Sequence, residues 1–211
     1  MSFVYMKILE SSPHRYDVGM GVSTLGGLSR AKRYIASHVN SGDKVLDLGC
    51  GTGTLVRMCV ENGGDVTGLD SNAGMLGVAR SNIPGARLIN GNVNDIDEHF
   101  KEDSYFDVIV STLVFSELSD VERSHVLSQA NRILKPNGRL YIADEVVPKN
   151  VLMRLTRSLI RSPLAFLTWV MTQTTTKAVA NFDQEISKAG FVVQNHKHFI
   201  YGMLTLLEAR K

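Results

Sequence analysis

The chain has 211 residues, 44% apolar and 21% charged, the balance of a globular domain long enough to bury a substantial core. A net charge of +2 gives no bulk electrostatic reason to expect nucleic acid, and two cysteines, Cys50 and Cys59, are too few for a disulfide framework. Residues 1–10 lack the basic start and apolar run of a secretory leader, and no stretch reaches about 18 consecutive apolar residues, so a cytoplasmic protein with reduced thiols is expected.

In chain order, Ser12-Pro13 followed by His14, Arg15, Tyr16 and Asp17 reads as a break between two short helical pieces. Gly19, Gly21 and Gly26-Gly27 keep the next segment loose. Residues 29–39, with Leu28, Ala31, Ile35 and Val39 on one face, predict an amphipathic helix packed on a sheet. Residues 45–53 then read Val-Leu-Asp-Leu-Gly-Cys-Gly-Thr-Gly, a short apolar strand carrying Asp47 that turns through Gly49, Gly51 and Gly53 into a helix. Glycine suits such a turn because it takes positive φ and lets backbone N–H groups approach a ligand. A dinucleotide fold would place its third glycine where Thr54 stands.

A second strand over 66–69 ends at Asp70, where an acid can accept from both hydroxyls of a ribose; a helix N-cap is its other reading. Met75 falls one turn into the following helix and would otherwise be a core residue. A third strand over 87–90 ends at Gly91-Asn92-Val93. Residues 106–110 are continuously apolar, as expected of a strand buried on both faces, and lead into Ser111 and Glu117. A helix over 121–134 should stop at a proline–glycine turn over 135–138, before a fifth strand over 139–143 that delivers Asp144 and Glu145. Between Glu145 and Asp183 there is no acid, while Arg154, Arg157 and Arg161 share a helical face. That stretch reads as a lid, as a protein or peripheral membrane surface through residues 149–161, or as a capping helix pair. A helix over 181–189 and two strands over 191–195 and 204–209 close the chain, with His196 and His198 on one solvent face.

The acid followed by G-x-G-x-G over 45–53, the acid at Asp70, and Leu-Lys-Pro-Asn-Gly-Arg-Leu at 134–140 resemble, in order, the class I S-adenosylmethionine-dependent methyltransferases. The resemblance implies an α/β fold: Rossmann-like, doubly wound, with a mostly parallel seven-stranded sheet and an antiparallel closing strand. One domain is implied, with cap helices over 1–44, a cofactor core over 45–148, a helical lid over 149–180 and closing elements over 181–211. S-adenosylmethionine is the implied cofactor. Asp47 would hold the amino group of its methionine moiety, and Gly49, Cys50, Gly51 and Gly53 would bring the backbone close. Asp70 and Ser71 would meet the ribose, Met75 would pack on the adenosine, Asn92 and Val93 would meet the adenine, and Ser111 the methionine end. The family usually has Gly-Asp where this chain has Gly91-Asn92; an amide oxygen can accept the same bond without charge assistance.

On the acceptor side, the resemblance brings Tyr16 and His14 toward the transferring methyl; by residue type alone they are a half-buried packing residue and a solvated loop residue. Many small-molecule members carry a histidine pair where Ser116 and Glu117 stand. Glu117 would orient or deprotonate a small-molecule substrate, unless it only begins the next helix. No Asn/Asp-Pro-Pro-aromatic motif is present, which argues against nucleobase or amide nitrogen acceptors. The pattern is closest to quinone- and sterol-type methyltransferases, and the first ten residues and Ala-Asp-Glu-Val are also similar to methyltransferases associated with corrinoid proteins. A non-catalytic binding partner and a nicotinamide-dependent oxidoreductase are the competing functions. No metal site is expected from the cysteine and histidine spacing.

Overall fold

Side-chain alternation along the strands divides the apolar residues between two faces of a single sheet. The computed structural model describes residues 17, 19–21, 24–147, 178–202 and 204–211. The readings of His14 and Tyr16, and of the basic stretch over 149–161, lie outside the described residues. Strands β1 (Lys44–Leu48), β2 (Asp65–Asp70), β3 (Arg87–Asn90), β4 (Phe106–Thr112), β5 (Leu134–Asp144), β6 (Val192–Phe199) and β7 (Leu204–Arg210) form a seven-stranded sheet ordered β3-β2-β1-β4-β5-β7-β6. β1 to β5 are mutually parallel, and β7 inserts between β5 and β6, antiparallel to both. This is the expected Rossmann-like, doubly wound α/β fold, with β7 as its antiparallel strand.

Val45, Val108, Val110, Tyr141, Ala143, Leu204 and Leu206 face one layer, which contains α1 (Gly27–Ala36), α2 (Thr54–Glu61) and α3 (Ala73–Asn82). Leu46, Leu48, Ile109, Leu140, Ile142, Leu207 and Ala209 face the other, with α4 (Ile96–His99), α5 (Asp120–Ile133) and α6 (Phe182–Lys188). Period-2 alternation thus buries both faces of every central strand. Leu28, Ala31, Ile35 and Val39 are all buried as expected. The α1 helix itself ends at Ala36, whose carbonyl accepts from Asn62 Nδ2 at 2.6 Å, tying its end to the end of α2.

Two boundaries depart from expectation. Residues 135–138 are not a turn ahead of the fifth strand but a bulge inside it: Phe106 pairs with Leu134 and Val108 with Arg139, while Asn137 takes φ +62°. Proline and glycine are accommodated because they stand where β5 leaves the ladder. The α5 helix starts at a capping box, in which Ser119 Oγ accepts from Glu122 N and Glu122 Oε2 accepts from Ser119 N, an arrangement worth about 1 kcal/mol. Arg123 then joins α5 to Glu185 of α6 at 2.7 Å. His196 and His198 do share an exposed face, ring centroids 6.4 Å apart, and His196 meets Asp183.

The order of the strands creates the functional edge. The chain builds β1, β2 and β3 outward on one side, then crosses back to lay β4 on the other side of β1. Ligands of open α/β sheets bind at the carboxyl ends of the strands flanking such a switch point. Just beyond β5, at that same edge, Val147 N donates to Val179 O and Val179 N to Glu145 O.

Candidate cofactor site

The bend after β1 is held open by backbone geometry. Gly49, Gly51 and Gly53 have φ of +73°, +55° and +77°. Gly49 N and Cys50 N both donate to Leu69 O, and Gly51 N donates to Asp70 Oδ2 at 2.7 Å, so the bend is anchored on the end of β2. The three glycines answer different needs. A Cβ on Gly49 would lie 2.2 Å from Val114 Cγ2, and one on Gly53 would lie 2.8 Å from Ile83 Cδ1 and 3.0 Å from Ala79 Cβ. A Cβ on Gly51 would meet nothing nearer than Met75 Cε at 3.9 Å. The protein fills the space at Gly49 and Gly53; at Gly51 it leaves the space open. On the opposite wall, Leu113 adopts φ +61° with its N–H on Ala143 O, turning the chain after β4 so that Val114 closes on Gly49.

The acids beside the bend are held in contrasting ways. Asp70 sits at the end of β2 with Oδ2 on Gly51 N and Oδ1 on Asn72 N (2.8 Å). Burial raises its pKa, and those two N–H donors oppose the rise. The N-cap of α3 is Asn72, whose Oδ1 accepts from Gly74 N and Met75 N, so Asp70 is not needed as the cap. Asp47 is 1% exposed, and among the described residues neither carboxylate oxygen has a hydrogen-bond partner. Burial pushes its pKa up to about 7, with Lys32 pulling it down and Asp70 adding to the rise. An ionised carboxylate so placed is costly unless something completes its hydrogen bonds.

Lys32, on α1, is the site residue that motif reading misses. It is 7% exposed, and burial lowers its pKa against the attraction of Asp17, Asp47 and Cys50. A signal was present: position 32 is four residues after Leu28 and three before Ile35, on the buried face of the helix. Asp17 is drawn to the same place, since Thr52 Oγ1 within the bend donates to Asp17 Oδ2 at 2.8 Å.

The remaining expected residues divide by what their side chains already do. Met75 is buried against the open side of Gly51. Cys50 packs over Gly68, where a Cβ would lie 2.8 Å from its sulfur, and burial raises its thiol pKa; it offers a ligand its backbone and not a nucleophile. Ser71 is exposed, with its carbonyl accepting from Asn90 Nδ2. Val93 is buried, and Asn92 Oδ1 accepts from Asn94 N at 3.0 Å as a cap. Ser111 is fully buried and donates to Leu48 O at 2.9 Å, so its proton is committed within the sheet. Glu117 is exposed on the turn after β4. Asp144 is fully buried and accepts from Ser116 N and Glu145 N, which braces that turn from β5.

A switch-point edge, a bend left open at Gly51, an acid ending β2 and a buried carboxylate with no hydrogen-bond partner among the described residues fit a nucleoside that carries a charged tail. The methyltransferase domain model matches residues 45–138, from β1 into β5. An uncharacterized methyltransferase of Synechocystis sp. is 29% identical over 174 residues, 82% of this chain and 77% of the relative. A demethylmenaquinone methyltransferase of Paenarthrobacter aurescens is 36% identical over 132 residues, 62% of this chain but only 50% of the relative. In fold, the chain resembles a chain from the Haloferax volcanii complex between the Trm112 methyltransferase activator and a methyltransferase, with TM-score 0.70, 19% identity and 96% of each chain covered. Residues 45–138 form a methyltransferase domain of the class I S-adenosylmethionine-dependent type, and S-adenosylmethionine is its cofactor. The nicotinamide expectation falls with that assignment, in keeping with Thr54 at the position of a dinucleotide fold's third glycine.

Proposed function

We propose that the protein transfers the methyl group to a small-molecule acceptor. The observation that carries the reading is Asp47, a buried carboxylate with no hydrogen-bond partner among the described residues, on the strand that leads into a bend whose Gly51 opens onto free space. A bound cofactor supplies a sulfonium methyl with a neutral thioether as leaving group. Asp47 accepts from the amino group of the methionine moiety. Asp70 accepts from the ribose hydroxyls with the lone pairs that Gly51 N and Asn72 N leave over, and Met75 packs on the adenosine. Holding donor and acceptor in line in this way contributes about 7–11 kcal/mol in favourable cases, so no strong acid–base pair is required.

Glu117 and Tyr16 are the proposed acceptor-side residues, and the segment over 149–180 the proposed lid. The quinone-type name of one relative supports a small acceptor. Buried, unpaired Cys50 and Cys59 fit a cytoplasmic setting, and among the described residues no helix is long and apolar enough to cross a membrane. Incubation with methyl-labelled S-adenosylmethionine and fractionated cell extract tests the reading. Label should enter the low-mass fraction; label confined to protein or RNA would contradict it, and cofactor binding without any labelled product would favour a non-catalytic partner.

The adenine edge gives a sharper expectation. Asn92 Oδ1 is already engaged by Asn94 N, so the adenine amino group would have to share that oxygen. Asn92→Asp supplies one oxygen for the cap and a charged one for the base. Calorimetry should show affinity for S-adenosylhomocysteine rising about 3- to 10-fold; an unchanged affinity would remove the adenine from this corner.

A further inference from the structure

The alternation of β1 places Asp47 on the same face as Val45, the face against which Leu28, Ala31 and Ile35 of α1 pack. Lys32 is buried within that layer, so an ammonium and a carboxylate are enclosed on one side of the sheet. They act on each other electrostatically, yet no hydrogen bond joins them, and both Asp47 oxygens lack a donor among the described residues. Two enclosed opposite charges that do not pair directly are expensive unless a third group completes both. An α-amino acid does so in one piece, since its ammonium and carboxylate leave from the same carbon. Asp47 can accept only from the ammonium, and Lys32, which has donors and no acceptor, can serve only the carboxylate.

We propose that Lys32 binds the carboxylate of the cofactor's methionine moiety, completing with Asp47 a clamp for a zwitterion. The inference rests on the S-adenosylmethionine reading and adds a second anchor to it. The clamp makes the amino-acid tail a determinant of affinity separate from the nucleoside, which Asp70 and Met75 serve. It also distinguishes two roles for Lys32. A lysine that only tethers Asp17 over the bend would affect folding and would treat all ligands alike; a clamp lysine discriminates among them by the tail.

Three ligands separate these roles by calorimetry: S-adenosylhomocysteine, its decarboxylated analogue, and 5′-methylthioadenosine, which lacks the amino acid altogether. In the unaltered protein, loss of the carboxylate should weaken binding about 10- to 100-fold, the size of a charge-assisted hydrogen bond in a buried site. Lys32→Met should weaken S-adenosylhomocysteine by a similar factor while changing 5′-methylthioadenosine by no more than about twofold, so that the carboxylate no longer matters in the variant. Equal affinity of the unaltered protein for S-adenosylhomocysteine and its decarboxylated analogue would overturn the clamp, and so would a variant that loses all three ligands in parallel. If Lys32→Met does not fold, the comparison among ligands in the unaltered protein decides alone. Failure of the folded, unaltered protein to bind either S-adenosylhomocysteine or 5′-methylthioadenosine would overturn the cofactor reading itself and the clamp with it.

Discussion

Asp47→Asn should weaken S-adenosylhomocysteine about 10- to 100-fold, the cost of losing a buried charge-assisted bond, and yet raise the stability of the ligand-free protein at pH 8. Burial pushes the native carboxyl up to about 7 from an ordinary value of 3.8, with Lys32 and Asp70 acting on it in opposite senses. Between these values the native state binds a proton that the unfolded chain has released, so stability falls as pH rises. The contribution is fully present below about pH 4 and is lost as pH passes through 7; Asp144, pushed up to about 6, adds with the same sign. Asparagine removes the Asp47 share, a gain on the order of 1–4 kcal/mol at pH 8. Melting curves from pH 5 to 8 should therefore slope downward for the ligand-free protein and less so for the variant, while saturating S-adenosylhomocysteine should flatten the unaltered profile by providing an ammonium for the carboxylate. A variant less stable than the parent at pH 8 would make Asp47 a structural residue.

Gly51→Val and Gly53→Val should fail in different ways although they lie two residues apart. At Gly51 the new side chain enters open space beside Met75, so cofactor binding should be lost while the fold bears only the left-handed backbone strain, about 1–2 kcal/mol. At Gly53 the same strain is compounded by contact with Ile83 and Ala79, and the loss should reach about 3–5 kcal/mol. Urea unfolding and calorimetry on both variants separate the two outcomes. Similar unfolding midpoints would mean that the Gly51 space is not a ligand space; retained binding in Gly51→Val would place the cofactor elsewhere.

These contrasts mark how far the sequence could be read. The bend at 45–53 was legible because three alternating glycines directly after an acid in an apolar strand suit a backbone that closes on a ligand. The strands were legible because their residues alternate between two buried layers. The reason for each glycine was not, since Gly49 and Gly53 are constrained by Val114, Ile83 and Ala79, residues distant in the chain or beyond the next helix. The bulge at 135–138 read as a turn because Pro136, Asn137 and Gly138 favour one, and only the pairing of Leu134 with Phe106 reveals that the strand begins before them. Ser111 and Asn92 were placed correctly at strand ends, but the bonds to Leu48 and Asn94 that occupy their polar atoms depend on tertiary contact and a local cap. Lys32 escaped notice because a lysine in an amphipathic helix is ordinarily assigned to solvent. Its phase on the helix was the sign that it faces inward.

The most direct measurement is a calorimetric titration of the ligand-free protein with S-adenosylhomocysteine, with NADH as the comparison. The account predicts saturable one-to-one binding of the thioether, none of NADH, and loss of the binding heat in Gly51→Val. A folded protein that gives no heat with S-adenosylhomocysteine, or that binds it equally well with valine at position 51, would contradict it.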